Sequence, residues 1–246
     1  MRFLDAAVDL LLGGRCAGCA RPGRLVCVGC SAVLAAAADG AGPVWPDPVP
    51  VGLVQPFAAT EYDGAVRGLL LGHKERRLLA LRGPLAALLA VAVAAAARDI
   101  AGGPLVLVPV PSRRGTARAR GHDPTQRLTT GAARLLGRAG LDVTAAPLLR
   151  SRAGVVDQAG LDATARAANL AGSMHCPTEL VRRLAARRTG ARVIVCDDVL
   201  TTGATVREAQ RAVEAVGIRV VAVATVAATR RRVPTHPARS SVPQDE

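Results

Sequence analysis

Val193-Ile-Val-Cys-Asp-Asp-Val-Leu-Thr-Thr-Gly-Ala-Thr205 passes from an apolar run, through two adjacent carboxylates, into a Thr-Gly turn. Val193 to Cys196 reads as a buried strand, and Thr205 to Val216 as the helix that follows. Between them Gly203 permits a tight turn and the Thr hydroxyls can donate to an anion. The first backbone N–H groups of the helix have no internal partner, so a phosphate can sit on them. Asp197 and Asp198 lie a few residues earlier, where they could accept from sugar hydroxyls or approach a phosphate-bound Mg²⁺. Together they describe a site for a ribose phosphate. An ordinary acidic turn capping a helix with Thr would account for the Thr and Gly but not for both carboxylates. No G-x-x-x-x-G-K-[ST] occurs, and no G-x-G-x-x-G follows a strand.

On either side of this stretch, apolar runs alternate with helical periodicity. Leu105 to Val110 and Arg219 to Val226 read as buried strands, and Val143 to Leu149 as a weaker one. Thr125 to Gly140 and Asp162 to Leu170 read as helices, and Pro84 to Ala97 as a buried helix. Strands alternating with helices imply right-handed crossovers and an α/β, mostly parallel sheet with helices on both faces. Ligands bind such sheets at the carboxyl ends of the strands. A second strand end is also chemically loaded: Pro111 to Gly121 carries Arg113, Arg114, Arg118 and Arg120. Arginine forks match phosphate oxygens bidentately, which suits a pyrophosphate, although a solvated, composition-driven Arg run would look the same.

Near the N-terminus a C-x-x-C pair occurs twice, as Cys16 with Cys19 and Cys27 with Cys30. Four thiolates at this spacing make a closed tetrahedral Zn²⁺ site, with Gly18 and Gly29 supplying permissive backbone and Pro22-Gly23 the turn between knuckles. Redox C-x-x-C motifs or two disulfides are the alternatives, disfavoured by the doubled spacing and by a reducing compartment. Cys176 and Cys196 stand alone and read as small core residues. Gly40 to Gly52 holds four prolines and reads as a linker, which cannot be helix interior or central strand. The expected organisation is therefore residues 1–54 for an N-terminal helix, a four-cysteine zinc module and a Pro-rich linker, residues 55–232 for the α/β body, and residues 233–246 for a disordered tail. Asp5 and Asp9 interrupt any signal-peptide core, and the run from Pro84 to Ala97 falls short of the roughly 20 residues of a membrane span. A cytoplasmic protein without a membrane span is expected.

The chain of 246 residues has a formal net charge of +13 and only 2% aromatic residues. So few aromatics exclude a base-stacking platform as the main mode of nucleic-acid binding. The charge leans towards anionic partners and would support weak, salt-sensitive, non-specific DNA binding. Every basic residue but Lys74 is an arginine, a composition that discounts the basic total as a binding argument.

The stretch from Val193 to Thr205 resembles the phosphoribosyl-pyrophosphate (PRPP) signature of type I phosphoribosyltransferases. The doubled C-x-x-C, then VPVPSRRGTARARG, RSRAGVVDQAGLDATARAANLAGS and VIVCDDVLTTGAT, in that order, is similar to the ComF family of competence-associated phosphoribosyltransferase-like proteins. The likeness runs up to about residue 231. It implies an N-terminal zinc finger, a type I phosphoribosyltransferase fold and a role in handling imported DNA beside a helicase or other DNA-processing protein. On that likeness Asp197 and Asp198, the catalytic pair, face the ribose of PRPP, whose Mg²⁺ accompanies it. Thr201, Thr202, Gly203, Ala204 and Thr205 hold the 5′-phosphate. Ser112, Arg113 and Arg114 meet the pyrophosphate, and Gln158, Arg166 and Asn169 belong to the flexible lid. Where the family has Arg-Gly-aromatic-Asn, this chain has Arg120-Gly121-His122-Asp123, and the aromatic before the lysine of the family's N-terminal segment is His73, followed by Lys74. His73 and His122 read as polar surface or loop residues.

Overall fold

Every residue of Leu105–Pro109 is buried, and this short apolar run lies within a six-stranded sheet. The structure is a computed structural model and describes residues 14–98, 100, 102–112, 123–152 and 170–229. Eight strands are described: β1 (Gly42–Pro43), β2 (Pro56–Glu61), β3 (Leu105–Pro109), β4 (Val143–Ala145), β5 (Arg150–Ser151), β6 (Met174–His175), β7 (Arg192–Leu200) and β8 (Val220–Ala228). The main sheet has the order β1-β2-β8-β7-β3-β4. All its pairings are parallel except β1 with β2. β5 and β6 form a separate antiparallel pair.

Six α-helices are described: α1 (Val28–Asp39), α2 (Gly64–Lys74), α3 (Arg82–Ala97), α4 (Pro124–Arg138), α5 (Thr178–Arg187) and α6 (Ala204–Glu214); a short 3-10 helix, Leu79–Leu81, leads directly into α3. Side chains alternate across β7, sending Ile194 and Cys196 into one core and Val193 and Val195 into the other. The first core is closed by Leu69 of α2, Leu85 and Leu89 of α3 and Leu128 and Ala132 of α4. The second is closed by Val206, Ala209 and Val213 of α6, with Leu180 and Leu184 of α5 at its margin. The helices therefore cover both faces, as the continuous apolar strands require.

From β3 the chain crosses through α4 to β4, on one side. From β7 it crosses through α6 to β8, on the other. The two directions diverge between β3 and β7, and a crevice opens at the carboxyl ends of such a pair.

Several expectations are revised. β7 does not stop at Cys196: it pairs with β8 through Leu200 opposite Ala228, so the acidic pair belongs to the strand and not to a loop. β4 ends at Ala145 instead of reaching Leu149, because Pro147 has no N–H for the ladder; Leu148 and Leu149 are nonetheless buried. His73, expected at the surface, is only 1% exposed, since it continues the buried stripe of Val66, Leu69 and Leu70 on α2. Part of the proline-rich stretch is held against the body: Gly42 and Pro43 pair with Ala58 and Phe57 as an edge strand, where a proline is tolerated. The helix from Leu79 to Ala97 is long and apolar enough to cross a membrane, yet Leu85, Leu88, Leu89 and Val93 are buried in the core. The N-terminal helix, the tail from 233, the helix expected over 162–170 and His122 lie outside the described residues, apart from Leu170.

Candidate functional site

Asp197 and Asp198 are buried in the C-terminal half of β7, just beyond Pro109 opposite Cys196, the last pair that β7 makes with β3. A cleft of about 440 Å³ opens there, lined by Asp197, Asp198, Thr201 and Thr205 from β7 and the turn into α6, by Ser112 after β3, and by Tyr62 and Lys74. Oδ1 of Asp197 accepts from the Asp198 N–H at 2.8 Å, and Oδ1 of Asp198 accepts from the Val199 N–H at 3.0 Å. Lys74, the last residue of α2, donates from Nζ to Oδ2 of Asp198 at 2.7 Å. Burial, and then the neighbouring Asp198 charge, pushes the Asp197 carboxyl well above its ordinary range, the Lys74 ammonium opposing only in part. One carboxyl is thus biased towards its neutral form while the other carries an ion pair.

After β7 the chain bends through Thr201 and Thr202 to Gly203, which caps α6 with φ +74°. A left-handed backbone is what glycine adopts without a Cβ penalty. Space demands glycine as well, since a Cβ would stand 2.9 Å from Cγ of Pro46 and 3.1 Å from Cγ of Pro50. The prolines between α1 and β2 therefore buttress the turn. Ala204 and Thr205 begin α6, and their N–H groups have no i−4 carbonyl within the helix.

At the second strand end, Ser112 lines the cleft and its N–H donates to Oδ2 of Asp123 at 2.8 Å. Oδ1 of the same carboxylate accepts from the Gln126 N–H at 3.1 Å, capping α4. Asp123 thus ties the loop's start to a helix. Arg113, Arg114, Gln158, Arg166 and Asn169 lie outside the described residues, so Ser112 alone represents the expected pyrophosphate loop.

Lys74 was not among the residues expected to line the site. Its signal was composition: it is the single lysine in a chain with 32 Lys+Arg. Glu208 is a second addition. Buried on α6, it accepts from the Met174 N–H of β6 at 3.0 Å and from Nε of Arg211 at 2.6 Å, fastening the β5–β6 pair to the helix that begins at the turn. Burial alone would raise its pKa, but the Arg211 guanidinium and the Met174 N–H together bring it below the ordinary value.

The four N-terminal thiols form a separate centre. The Sγ atoms of Cys16, Cys19, Cys27 and Cys30 all lie within 4.8 Å of one another, with 3.6 Å between Cys16 and Cys30 and 3.5 Å between Cys19 and Cys27. A tetrahedron of thiolates around zinc at about 2.3 Å has edges of about 3.8 Å, so the set fits zinc and is far too open for disulfides. Burial works against ionising Cys16, but N–H groups of Cys27, Cys19 and Gly18 outweigh it and bring its pKa to about 6. The left-handed residues of the knuckles are Ala20 and Gly23, not Gly18 and Gly29. Gly18 is instead a close-approach position, where a Cβ would meet Sγ of Cys30 at 2.9 Å. Cys176 and Cys196 are buried, as expected of core residues.

The phosphoribosyl transferase domain family matches residues 144–241. Together with the sheet order and the helices on both faces, the match makes the body a type I phosphoribosyltransferase-like fold, preceded by a four-cysteine module suited to zinc. A ribose phosphate is the substrate class such a domain suggests. No curated protein matches the chain.

Proposed function

We propose that this protein binds PRPP with Mg²⁺ in the cleft at the end of β7 and transfers the phosphoribosyl group to a nucleophile. The observation that carries the reading is the joint placement of Asp197, Asp198, Thr201 and Thr205 around one cleft at the switch point of the sheet. The turn from Thr201 to Thr205 would take the 5′-phosphate on hydroxyls and on the free N–H groups of α6. Asp197, biased towards neutrality, and Asp198 would hold the ribose hydroxyls. Mg²⁺, bound by the ligand's phosphates near the acidic pair, would neutralise the pyrophosphate's charge.

In the reaction the C1–O bond to pyrophosphate breaks, pyrophosphate leaving with the bonding electrons, and the nucleophile's lone pair forms the new bond to C1 while its proton passes to solvent. The protein needs no nucleophile of its own: it orients C1, excludes water and places charge where charge develops. Isothermal titration with PRPP and Mg²⁺ tests the site. The Asp198→Asn variant should lose about 1–3 kcal/mol, the scale of a charge-assisted hydrogen bond. Unchanged affinity in the double Asp197→Asn, Asp198→Asn variant would remove the ligand from this cleft.

A second reading, an adaptor in DNA uptake within the cytoplasm that docks a helicase or DNA-processing partner through its zinc module, is favoured by one feature. A groove of about 600 Å³ between α3 and α4 is lined by Arg82, Arg127, Arg134 and Arg138. Among the described residues these four arginines have no acidic partner. They suit a phosphate backbone held without base stacking. Filter binding of DNA at rising salt, with and without PRPP, separates the readings: competition by PRPP points to one shared anion site, and indifference to a separate adaptor surface.

A further inference from the structure

Lys74 approaches the acidic pair from the solvent side, its side chain 43% exposed against 8% for Asp198. Oδ1 of Asp197 and Oδ1 of Asp198 are already engaged by backbone N–H groups. Of the two Asp198 oxygens, Oδ2 is the one left to take an external cation, and the ammonium holds it at 2.7 Å. We propose that Lys74 is the resident counter-cation of the acidic pair: it keeps a free divalent metal off Asp198, and it yields only to a metal that arrives with an anionic ligand able to receive the ammonium. The identity of that ligand as PRPP rests on the function proposed above; the counter-cation role itself does not.

The choice of side chain supports the role. In a chain whose other basic residues are all arginine, this position alone is lysine. A guanidinium fork would clamp the carboxylate bidentately, whereas an ammonium on a flexible four-carbon stem is a point charge that can leave and re-pair. A bare metal ion would have to shed water and expel the ammonium from a largely buried carboxylate with nothing to receive it. A metal–pyrophosphate complex brings the replacement anion with it. The metal and the ligand are then expected to enter together, each strengthening the other's binding by the same factor.

The test uses full-length, zinc-loaded protein and Mn²⁺ as the probe, followed by electron paramagnetic resonance without PRPP. Lys74→Met should bind Mn²⁺ at least roughly tenfold more tightly than wild type, a factor worth about 1.4 kcal/mol. Lys74→Arg should stay as weak as wild type, and adding Asp198→Asn to Lys74→Met should abolish the gain. Should circular dichroism show Lys74→Met unfolded, Lys74→Gln answers the same question with a stem of similar length. Saturating PRPP should tighten Mn²⁺ binding in wild type by a larger factor than in the neutral variant. Equal Mn²⁺ affinity in wild type and the neutral variant, or an equal gain in Lys74→Arg, overturns the proposal. A wild-type protein that ignores PRPP while Lys74→Met still gains Mn²⁺ would sink the PRPP reading and leave the counter-cation standing.

Discussion

Gly203 shows how much one residue decides. Its φ of +74° and the 2.9 Å that would separate a Cβ from Pro46 each exclude a larger residue. Gly203→Ala should therefore destabilise the fold by about 1–3 kcal/mol, from left-handed strain together with overpacking against the prolines. Urea denaturation measures that loss, and phosphate binding should weaken alongside it; an unchanged midpoint would mean that the turn relaxes freely. The role of Gly203 in a turn was readable from its place before a helix. That prolines from a distant part of the chain press on it was not, because close packing between such segments leaves no local pattern. Lys74 is similar: its rarity was visible, but its partner Asp198 is 124 residues away. The burial of His73 is not legible in the sequence, because a single polar residue gives no sign that a helix will turn it inward.

Among the elements, α6 does two jobs. Its first turn offers free N–H groups at the cleft, and its middle anchors β6 through Glu208. The folded-state pKa of Glu208 is lowered, so the stabilisation it provides is present above the unfolded carboxylate value and is lost as pH falls through the folded value. Stability measured by thermal melts should accordingly fall on acidification below about pH 4.3. Glu208→Gln should flatten that part of the profile and should loosen the β5–β6 pair, read by hydrogen exchange at the Met174 amide. A profile as steep as wild type would place the acid sensitivity elsewhere. The existence of α4, α6, β3, β7 and β8 was legible from periodicity, since each buries a continuous stripe or run. Their ends were less so: β7 extends past Cys196 because β8 continues beside it, a partner that no local window contains.

Over the whole molecule, the four-cysteine module and the cleft are linked through α2. The backbone of Ala17 and Gly18 lies so close to this helix that a Cβ on Gly68 would stand 2.6 Å and 2.7 Å from their carbonyl oxygens. Further along, the same helix delivers Lys74 to Asp198. If the four clustered thiols hold a single ion, elemental analysis should find about one zinc per chain. Stripping the metal should unfold the module, expose α2 to hydrogen exchange as far as Lys74, and lower the melting temperature. A metal-free protein with unchanged protection in α2 would show that the module folds and docks without zinc. Gly68→Ala, otherwise favourable in a helix, should mimic part of this loss by forcing the module away.

Legible in the local sequence were the class of fold, the grouping of four thiols and the two carboxylates ahead of a glycine turn, because each is a local pattern: apolar runs alternating with helical periodicity, a doubled C-x-x-C, and acids set before a glycine and a helix. The tertiary structure alone decided which groups meet those patterns. It set Lys74 on Asp198, Pro46 and Pro50 on Gly203, Asp123 on Ser112 and Glu208 on Met174. These contacts follow from the strand order of a parallel sheet, whose crossovers bring distant segments to the same strand ends, and that order is a property of the packed core as a whole.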